Sequence, residues 1–370
     1  MYFALSDEQR ALGDTVREFL ADRFDLTAVR EVFEDVAGDG HPADLWKAVG
    51  EQGWLAVCVP EEFDGLGLGI LDAQVVARAL GAGVAPGPWL PTVLAGEAVR
   101  LAGAAEQQAE LLPRVAAGEL VATVALRGPG GRFDSTGVAV TATAEGTLTG
   151  TASPVEYLGV AERVVVAAAE PAGQIGLYLV DPRAAGVTVT PLRSYDGTTR
   201  LFSLTLDGVA ASRLPGSSDE VFADLLRRGA VLTAADLVGI AREALTRTVE
   251  YDKERIQFGK PVGSFQALKH ALADLHLAVT MAEHAVLYAA HAIDVSLPDL
   301  ELAVAVAKTK ASEAARDATA GMIQYHGGIG YTWEHEAHFF YKRAKRLYGA
   351  FGDPPQHLEK IAALTVDTRA

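Results

Sequence analysis

The period of the hydrophobic residues changes twice along this chain. From residue 6 to about 118, segments such as SDEQRALGDTVREFLADRF place apolar residues on one helix face, as Leu12, Val16 and Leu20 do. From about 120 to 213, short β-branched runs such as RVVVAAA and GVTVTPL are separated by Gly, Pro and Asp. Helical periodicity then returns and lasts to the end of the chain. The sequence therefore predicts helices, then strands, then helices.

The predicted fold class is α+β and mainly α. It comprises an N-terminal helical domain (1–118), a middle antiparallel β domain (119–213) and a C-terminal four-helix bundle (214–370). The spacing of the β runs is typical of a sandwich or barrel. A chain of 370 residues is long enough for two or three domains and for burying a large ligand.

Charge and cysteine content limit the partners and the compartment. Lys and Arg number 32 against 48 Asp and Glu, and the net charge of −16 disfavours nucleic acid and anionic membranes. No apolar run is long enough to span a bilayer, and Asp7 and Glu8 argue against a signal peptide, so a cytoplasmic protein is expected. The single Cys58 excludes an intrachain disulfide, and its AVCVP context predicts core packing.

Two glycine-rich loops look like dinucleotide-binding sequences but lack the required neighbours. DGLGLGILD lies between predicted helices, and VALRGPGGRFD precedes a strand instead of the helix that binds a pyrophosphate. Neither predicts a Rossmann site. His335 and His338 are three residues apart with no third ligand nearby, so no metal site is predicted.

The segment ERIQFGKPVGSFQ joins two predicted helices. Arg255 ends the first helix, Phe258 and Gly259 turn the chain, and Gln266 begins the second. A planar, permanently charged guanidinium at such a turn suits a phosphate, and the aromatic ring could stack on a base.

The segment QYHGGIGYTWE has glycine, and so no side chain, at Gly327, Gly328 and Gly330. A ligand could then lie against main-chain N–H groups. For both segments the alternative is an ordinary helix–helix turn that needs glycine for a positive φ.

Together these features resemble the acyl-CoA dehydrogenase family of flavoproteins over nearly the whole chain. GEQGWLAVCVPEEFDGLGLG resembles the family's N-terminal Gly-Trp-Leu to Gly-Leu-Gly turn. RIQFGKPVGSFQALKHALADL and QYHGGIGYTWEHEAHFFYKRAKRL resemble its two most recognisable C-terminal segments. The family's fold is the same order of helical domain, β domain and four-helix bundle.

The resemblance implies FAD as cofactor and an acyl-CoA thioester as substrate, desaturated at Cα and Cβ. A carboxylate removes the α proton while flavin N5 accepts a β hydride, and an electron-accepting flavoprotein is an implied partner. FAD is bound between subunits, which implies a homo- or hetero-oligomer, dimer or tetramer, with a homologous subunit. The cofactor-binding roles fall by position on Arg255, Phe258, Gln266, Gln324, Gly327 and Gly328.

The expected base positions hold no acid. The family's usual base is a Glu in a Tyr-Glu-Gly-Thr turn, and alignment through RAKRLYGAFGD places Phe351 there, Gly352 at the Gly and Asp353 at the Thr. Some members carry the base on the long helix before the Arg-x-x-Phe-Gly turn, where this chain has Gly229.

The β domain also departs from the family pattern. ALRGPGGRFD keeps the glycines of a loop that holds flavin and substrate but lacks its Thr-Glu. TASPVEYLG lacks the aromatic followed by Ile-Ser or Ile-Thr that packs on the isoalloxazine ring. The segments for the flavin ring are altered, whereas those for the distal end of FAD are kept.

Three interpretations follow. The chain resembles the subunit of a bacterial α2β2 enzyme that completes the FAD site while its partner supplies the base. Alternatively, it is a self-sufficient homo-oligomeric dehydrogenase with Asp353 as a displaced base, or a non-catalytic scaffold that has lost flavin. Asp353 precedes two prolines, a pattern that also predicts a helix cap, so it is a weak candidate base.

Overall fold

Helices dominate both ends of the chain in the computed structural model, which describes residues 4–366. The predicted fold class is confirmed. The N-terminal helices are α1 (Asp7–Arg23), α2 (Leu26–Glu34), α3 (Ala43–Glu51), α4 (Ile70–Ala82), α5 (Trp89–Ala102) and α6 (Ala105–Ala116), with a 3-10 turn at Glu61–Phe63 between α3 and α4.

Local capping chemistry sets the helix ends. Ser6 Oγ accepts from the Gln9 N–H at 3.2 Å, and the Gln9 side chain accepts from the Ser6 N–H at 3.0 Å, a reciprocal capping box that starts α1. α1 then buries Val16 and Leu20. After α6, Gly118 has a φ of +73°, the left-handed conformation that commonly ends a helix.

The middle of the chain forms one sheet with the strand order β6-β7-β3-β2-β4-β5-β8, and β1 pairs with β4. Its strands are β1 (Ala122–Ala125), β2 (Val140–Ala142), β3 (Thr147–Glu156), β4 (Arg163–Ala169), β5 (Ile175–Val180), β6 (Val187–Leu192), β7 (Leu201–Ala210) and β8 (Ser212–Arg213). The core of this sheet includes fully buried Leu148, Val164 and Leu204.

Strand direction departs in one respect from the antiparallel domain predicted. β4 runs parallel to both β1 and β2, whereas the other neighbouring pairs are antiparallel. Residue alternation reveals that a segment is a strand, but only a short hairpin connection fixes its direction. β1 and β4 have no such connection.

The C-terminal helices are α7 (Asp219–Glu254), α8 (Gln266–Asp294), α9 (Leu300–Tyr325), α10 (Ala337–Tyr348) and α11 (Pro354–Thr365), and β9 (Ile256–Gln257) pairs with β10 (Lys260–Pro261) between α7 and α8. α9 packs against α8, α10 and α11, and its many buried alanines permit this close approach. Within residues 4–366, no helix combines the length and the apolarity needed to cross a bilayer.

The described chain forms two compact units, each assembled from several stretches. One contains residues up to 30, 70–85 and those from 230 onward, and the other contains 31–69 and 86–229. The three-domain division with boundaries at 118 and 213 stays a prediction.

Candidate functional site

A tight hairpin follows α7. Phe258 and Gly259 have φ values of +52° and +75°, the pair of left-handed residues found in two-residue hairpin turns. Arg255 comes directly after the last residue of α7, and Gln266 is the first residue of α8. The structure therefore places Arg255, Phe258 and Gln266 on the single loop that the sequence predicted.

The hairpin presents its side chains to solvent. Phe258 is 91% exposed, and its ring lies 6.1 Å from that of Phe265. Arg255 is exposed, and within residues 4–366 its guanidinium has no ion pair or hydrogen bond. A cation on a tight turn with no partner among the described residues is available for an anionic group.

A second loop follows α9. Gln324 is exposed in the last turn of the helix, and Gly327 has a φ of +66°. A methyl group built on Gly327 or Gly328 would meet no atom of the described chain within 4 Å, whereas one on Gly330 would lie 2.6 Å from the Ile323 carbonyl oxygen. Gly330 is needed for packing, while Gly327 and Gly328 leave open space.

Tyr251 connects the two loops. Its ring stacks on that of His326 with a centroid distance of 4.3 Å, and its hydroxyl donates to the His326 carbonyl at 3.3 Å. His326 also lies 4.6 Å from His335, and burial lowers the pKa of both imidazoles. Arg255 lies one helical turn after Tyr251, and Gly327 directly follows His326. The contact between Tyr251 and His326 therefore brings the two predicted cofactor segments together.

Several apolar side chains around the two loops are exposed. Tyr331 is 89% exposed, close to the value for Phe258, and the set also includes Ile256, Ile329 and Trp333. Arg30 of α2 donates to the carbonyls of Trp333 and Glu334, each at 2.8 Å, and so fixes the second loop. We call Ile256, Phe258, Ile329, Tyr331 and Trp333 the aromatic rim.

Asp252 lies beneath the hairpin and was not singled out from the sequence. Its side chain is 1% exposed, and neither carboxylate oxygen has a partner in residues 4–366. Burial raises the pKa of Asp252 to about 6. From the sequence, an acid in the last turn of a long helix is expected to be exposed. In the structure, packing against Gly263 buries Asp252.

The turn expected to carry a base is sharply bent. Phe351 and Gly352 have φ values of +55° and +100°, and a methyl group on Gly352 would lie 2.7 Å from His357 Nε2. The Asp353 carboxylate accepts from the Gln356 N–H at 3.0 Å, with Pro354 as the first residue of α11. The predicted cap is confirmed, while a role of Asp353 as a base stays a prediction.

Two buried side chains hold this turn by its carbonyl groups. Lys308 of α9 donates to the carbonyls of Tyr348 and Gly352, both at 3.0 Å, and His357 Nε2 lies 3.0 Å from the Phe351 oxygen. Burial lowers the pKa of Lys308 to about 7 and that of His357 to about 4. Neither residue was singled out from the sequence.

The turn and the two cofactor loops lie at different levels of α9. Lys308 and Gln324 are sixteen residues apart on this helix, which is about 24 Å at 1.5 Å per residue. The structure therefore does not bring Asp353 together with Arg255 or Gly327. Gly229, at the other position where an acid was sought, lies inside α7.

The two altered β-domain segments meet in space. Arg127, in the loop after β1, accepts through its backbone oxygen from the Ser153 N–H of β3 at 3.0 Å. The Arg127 guanidinium donates to the Gly131 oxygen at 2.7 Å and lies 4.5 Å from the Phe133 ring centroid. Both segments stood out in the sequence, but Arg127 itself did not.

The remaining sequence features have structural roles. DGLGLG forms the turn between α3 and α4, with Asp64 and Gly67 both at a φ of +61°. Cys58 is buried, as predicted. Within residues 4–366 no group of three or more His, Cys, Asp or Glu residues could hold a metal ion.

Two family descriptions match this chain. "Acyl-CoA dehydrogenase, N-terminal domain" matches residues 6–119, and "Acyl-CoA dehydrogenase, C-terminal domain" matches residues 220–364. Among curated relatives, the acyl-CoA dehydrogenase IpdE2 of Mycobacterium tuberculosis is 33% identical over 357 residues, covering 96% of both chains.

Solved structures with similar folds include two with two-component names. The Tcur3481-Tcur3483 steroid ACAD G363A variant has a TM-score of 0.89 at 30% identity, covering 98% of this chain and 99% of the other. The ChsE4-ChsE5 complex from Mycobacterium tuberculosis has a TM-score of 0.91 at 29% identity, and each chain is covered completely.

Proposed function

The chain belongs to the acyl-CoA dehydrogenase family of flavoprotein oxidoreductases, which act on CH–CH bonds, and we propose that it works as one subunit of a heteromeric enzyme. In this proposal it completes a binding site for FAD, and the assembled enzyme desaturates an acyl-CoA thioester between Cα and Cβ. The homologous partner subunit supplies the carboxylate base.

The proposal rests mainly on the side chains in the turn at Phe351. An apolar side chain occupies the expected base position, and the neighbouring acid, Asp353, is exposed and caps α11. An α proton of a thioester needs a base within hydrogen-bond reach. A second subunit could provide the carboxylate base that this chain lacks at position 351. The two-component names of the two similar solved structures support such an assembly.

The residues of the two loops suit the distal part of FAD. The guanidinium of Arg255, which has no partner among residues 4–366, could bind the diphosphate, and the open backbone at Gly327 and Gly328 leaves room for the adenosine portion. Phe258 and Gln266 would contact the cofactor from the hairpin and Gln324 from the end of α9. When bound, FAD supplies the hydride acceptor.

The aromatic rim favours a partner over a monomer. Large exposed apolar groups around a ligand-binding loop are characteristic of an interaction surface, and aromatic residues are enriched in such interfaces. A homologous subunit placed here would cover these apolar groups together with the distal part of FAD.

Reoxidation requires another protein. We propose an electron-accepting flavoprotein as the second partner, because the reduced cofactor must be reoxidised before the next turnover. A similar chain occurs in the solved structure of the electron transferring flavoprotein of Acidaminococcus fermentans, at 27% identity and a TM-score of 0.88.

Co-expression tests the proposal directly. The chain is purified alone and together with a homologue encoded beside it, and the ratio of FAD to protein and the acyl-CoA dehydrogenase activity are measured for both preparations. We expect little FAD on the isolated chain and stoichiometric FAD with activity on the pair. Full flavin content and full activity of the isolated chain would contradict the need for a partner.

A further inference from the structure

Arg127 lies where the two altered β-domain segments meet. The resemblance assigns the loop after β1 to the flavin and the substrate, and the segment around Ser153 to the flavin ring. The hydrogen bond from the Ser153 N–H to the Arg127 oxygen places them side by side in this chain. The loop that lacks the family's Thr-Glu carries a large cation, Arg127, in this chain.

The Arg127 guanidinium is incompletely satisfied. It is half-buried, and its two contacts are the Gly131 carbonyl oxygen and the face of the Phe133 ring. Nε is buried without a hydrogen-bond partner among residues 4–366. Burial lowers the pKa of Arg127, and no carboxylate in the described chain compensates for it.

Three other half-buried arginines in the same unit are paired with acids, and the guanidinium nitrogens of half-buried Arg200 all donate to main-chain carbonyls. Arg100 and Arg228 both donate to Glu97, at 2.7 Å each, and Arg213 donates to Glu170 at 2.6 Å. Leaving a half-buried cation without an anion is costly, and such groups are ordinarily paired. Arg127 lacks this pairing, at a position where the family binds its ligands.

The loop around Arg127 is packed on one side and open on the other. Methyl groups built on Gly128 and Gly131 would lie 2.3 Å from the Ala139 Cβ and 2.5 Å from the Gly137 oxygen. Gly130 has a φ of +67°, and a methyl group built on it would meet no atom of the described chain within 4 Å. The backbone that carries Arg127 is thus held firmly while a neighbouring face stays accessible.

We propose that Arg127 is an anion-binding residue of the ligand site, whose counter-ion is an anionic group carried by FAD or by the acyl-CoA. This inference rests on the proposed function, because it takes the family's ligands as the source of the anion. A charge-assisted hydrogen bond from a guanidinium is short, directional and about twice as strong as a neutral one. The bound ligand would pair with Arg127 as the carboxylates of Glu97 and Glu170 pair with the other arginines.

A pair of arginines in one loop provides the test. Arg127→Gln removes the half-buried cation, whereas Arg132→Gln removes an exposed one that pairs with Asp134 at 3.1 Å. FAD and free coenzyme A are titrated separately into the full-length chain with its co-purified partner, by calorimetry. We expect Arg127→Gln to weaken one ligand by about 10- to 100-fold, the usual effect of losing a hydrogen bond to a charged group.

The ligand that Arg127→Gln binds more weakly than the wild type does, FAD or coenzyme A, is the source of the anion. Arg132→Gln should change either affinity by less than about twofold, because exposed ion pairs contribute little. Arg127→Lys, which keeps the charge, should recover part of the loss. Unchanged affinity of Arg127→Gln for both ligands overturns the assignment, and a wild-type assembly that binds neither ligand contradicts the proposed function as well.

Thermal unfolding separates a binding role from a structural one. Without ligand, Arg127→Gln should melt at the same temperature as the wild type or higher, since the substitution removes an uncompensated charge. With saturating ligand, the wild type should gain more stability than the variant. A lower melting temperature of the ligand-free variant, together with an unchanged affinity, would mean that Arg127 only supports the loop.

Discussion

Lys308 Nζ lies 3.0 Å from the carbonyl oxygen of Gly352, although the two residues are 44 positions apart. The same ammonium donates to the Tyr348 carbonyl at 3.0 Å and to Ser312 Oγ at 2.9 Å, and the side chain has no exposed surface. The backbone of the turn is therefore held from α9 by a buried cation.

Lys308→Met should lower the free energy of unfolding by about 2 kcal/mol at pH 7. It leaves two carbonyls without a donor, at about 1–3 kcal/mol each, and the relief of burying a cation offsets part of that cost. Ser312→Ala is the matched control and should cost less than about 1 kcal/mol, because both bonds to the turn remain. Urea unfolding measures both, and equal losses would exclude this role for Lys308.

Stability should fall in acid through His357. The pKa of His357 is about 4 in the folded chain against an ordinary 6.5, so the unfolded chain binds more protons between these values. Stability should be full above pH 6.5 and decrease towards pH 4, by up to about 3 kcal/mol. His357→Gln should flatten this dependence in urea titrations at several pH values. An unchanged slope would mean that other groups cause the acid sensitivity.

Asp252→Asn should stabilise the protein at neutral pH. The pKa of Asp252 is about 6 when folded against an ordinary 3.8, so the folded chain binds more protons in this range and loses stability as pH rises through it. Removing the carboxylate should add about 1–3 kcal/mol at pH 7 and little at pH 4. Thermal melts at pH 7 and pH 4 measure this difference in stability. The control, Glu254→Gln, changes an exposed acid and should leave the melting temperature unchanged at both pH values.

Two substitutions separate the possible roles of Asp353. Asp353→Asn keeps an N-cap side chain and should leave both stability and activity of the assembled enzyme nearly unchanged. Asp353→Ala removes the cap and should cost about 1 kcal/mol. If Asp353 is instead a displaced base, Asp353→Asn should reduce kcat by about 10² to 10⁴ at unchanged stability. Stopped-flow reduction of bound flavin by acyl-CoA measures the rate.

Arg255→Gln should weaken FAD binding by about 10- to 100-fold, because it removes a charge-assisted contact to the diphosphate. The ligand-free melting temperature should not change, since the guanidinium has no partner within residues 4–366. Lys253→Gln, an equal charge change two residues earlier on the exposed end of α7, should have less than about a twofold effect. A similar loss in both variants would indicate a general effect of charge.

Features that depend on neighbouring residues could be predicted from the sequence. The start of α1 near Ser6, the cap at Asp353 and the turn at Phe258 and Gly259 all follow from chemistry within a few positions, although the capping box and the strand pairing of the hairpin were seen only in the structure. The same holds for the alternation that marked the β domain, because burial on one face of a strand imposes it.

Features that depend on distant contacts could not be predicted. A lysine in an alanine-rich helix ordinarily lies on the surface, and Lys308 is buried only because the turn at Gly352 packs on α9. The stack of Tyr251 on His326 and the isolation of Asp252 likewise require the packed helices. The parallel pairing of β4 with β1 depends on the path of the chain between them, which residue patterns do not record.

The aromatic rim has a consequence for how the protein is made in the cell. Under the proposed assembly, a copy without its partner exposes Phe258 and Tyr331 almost completely, and such surfaces favour aggregation and recognition by chaperones and proteases. Any excess of one subunit over the other would then be degraded. Balanced synthesis, as from neighbouring genes in one transcript, is expected to determine the yield of active enzyme.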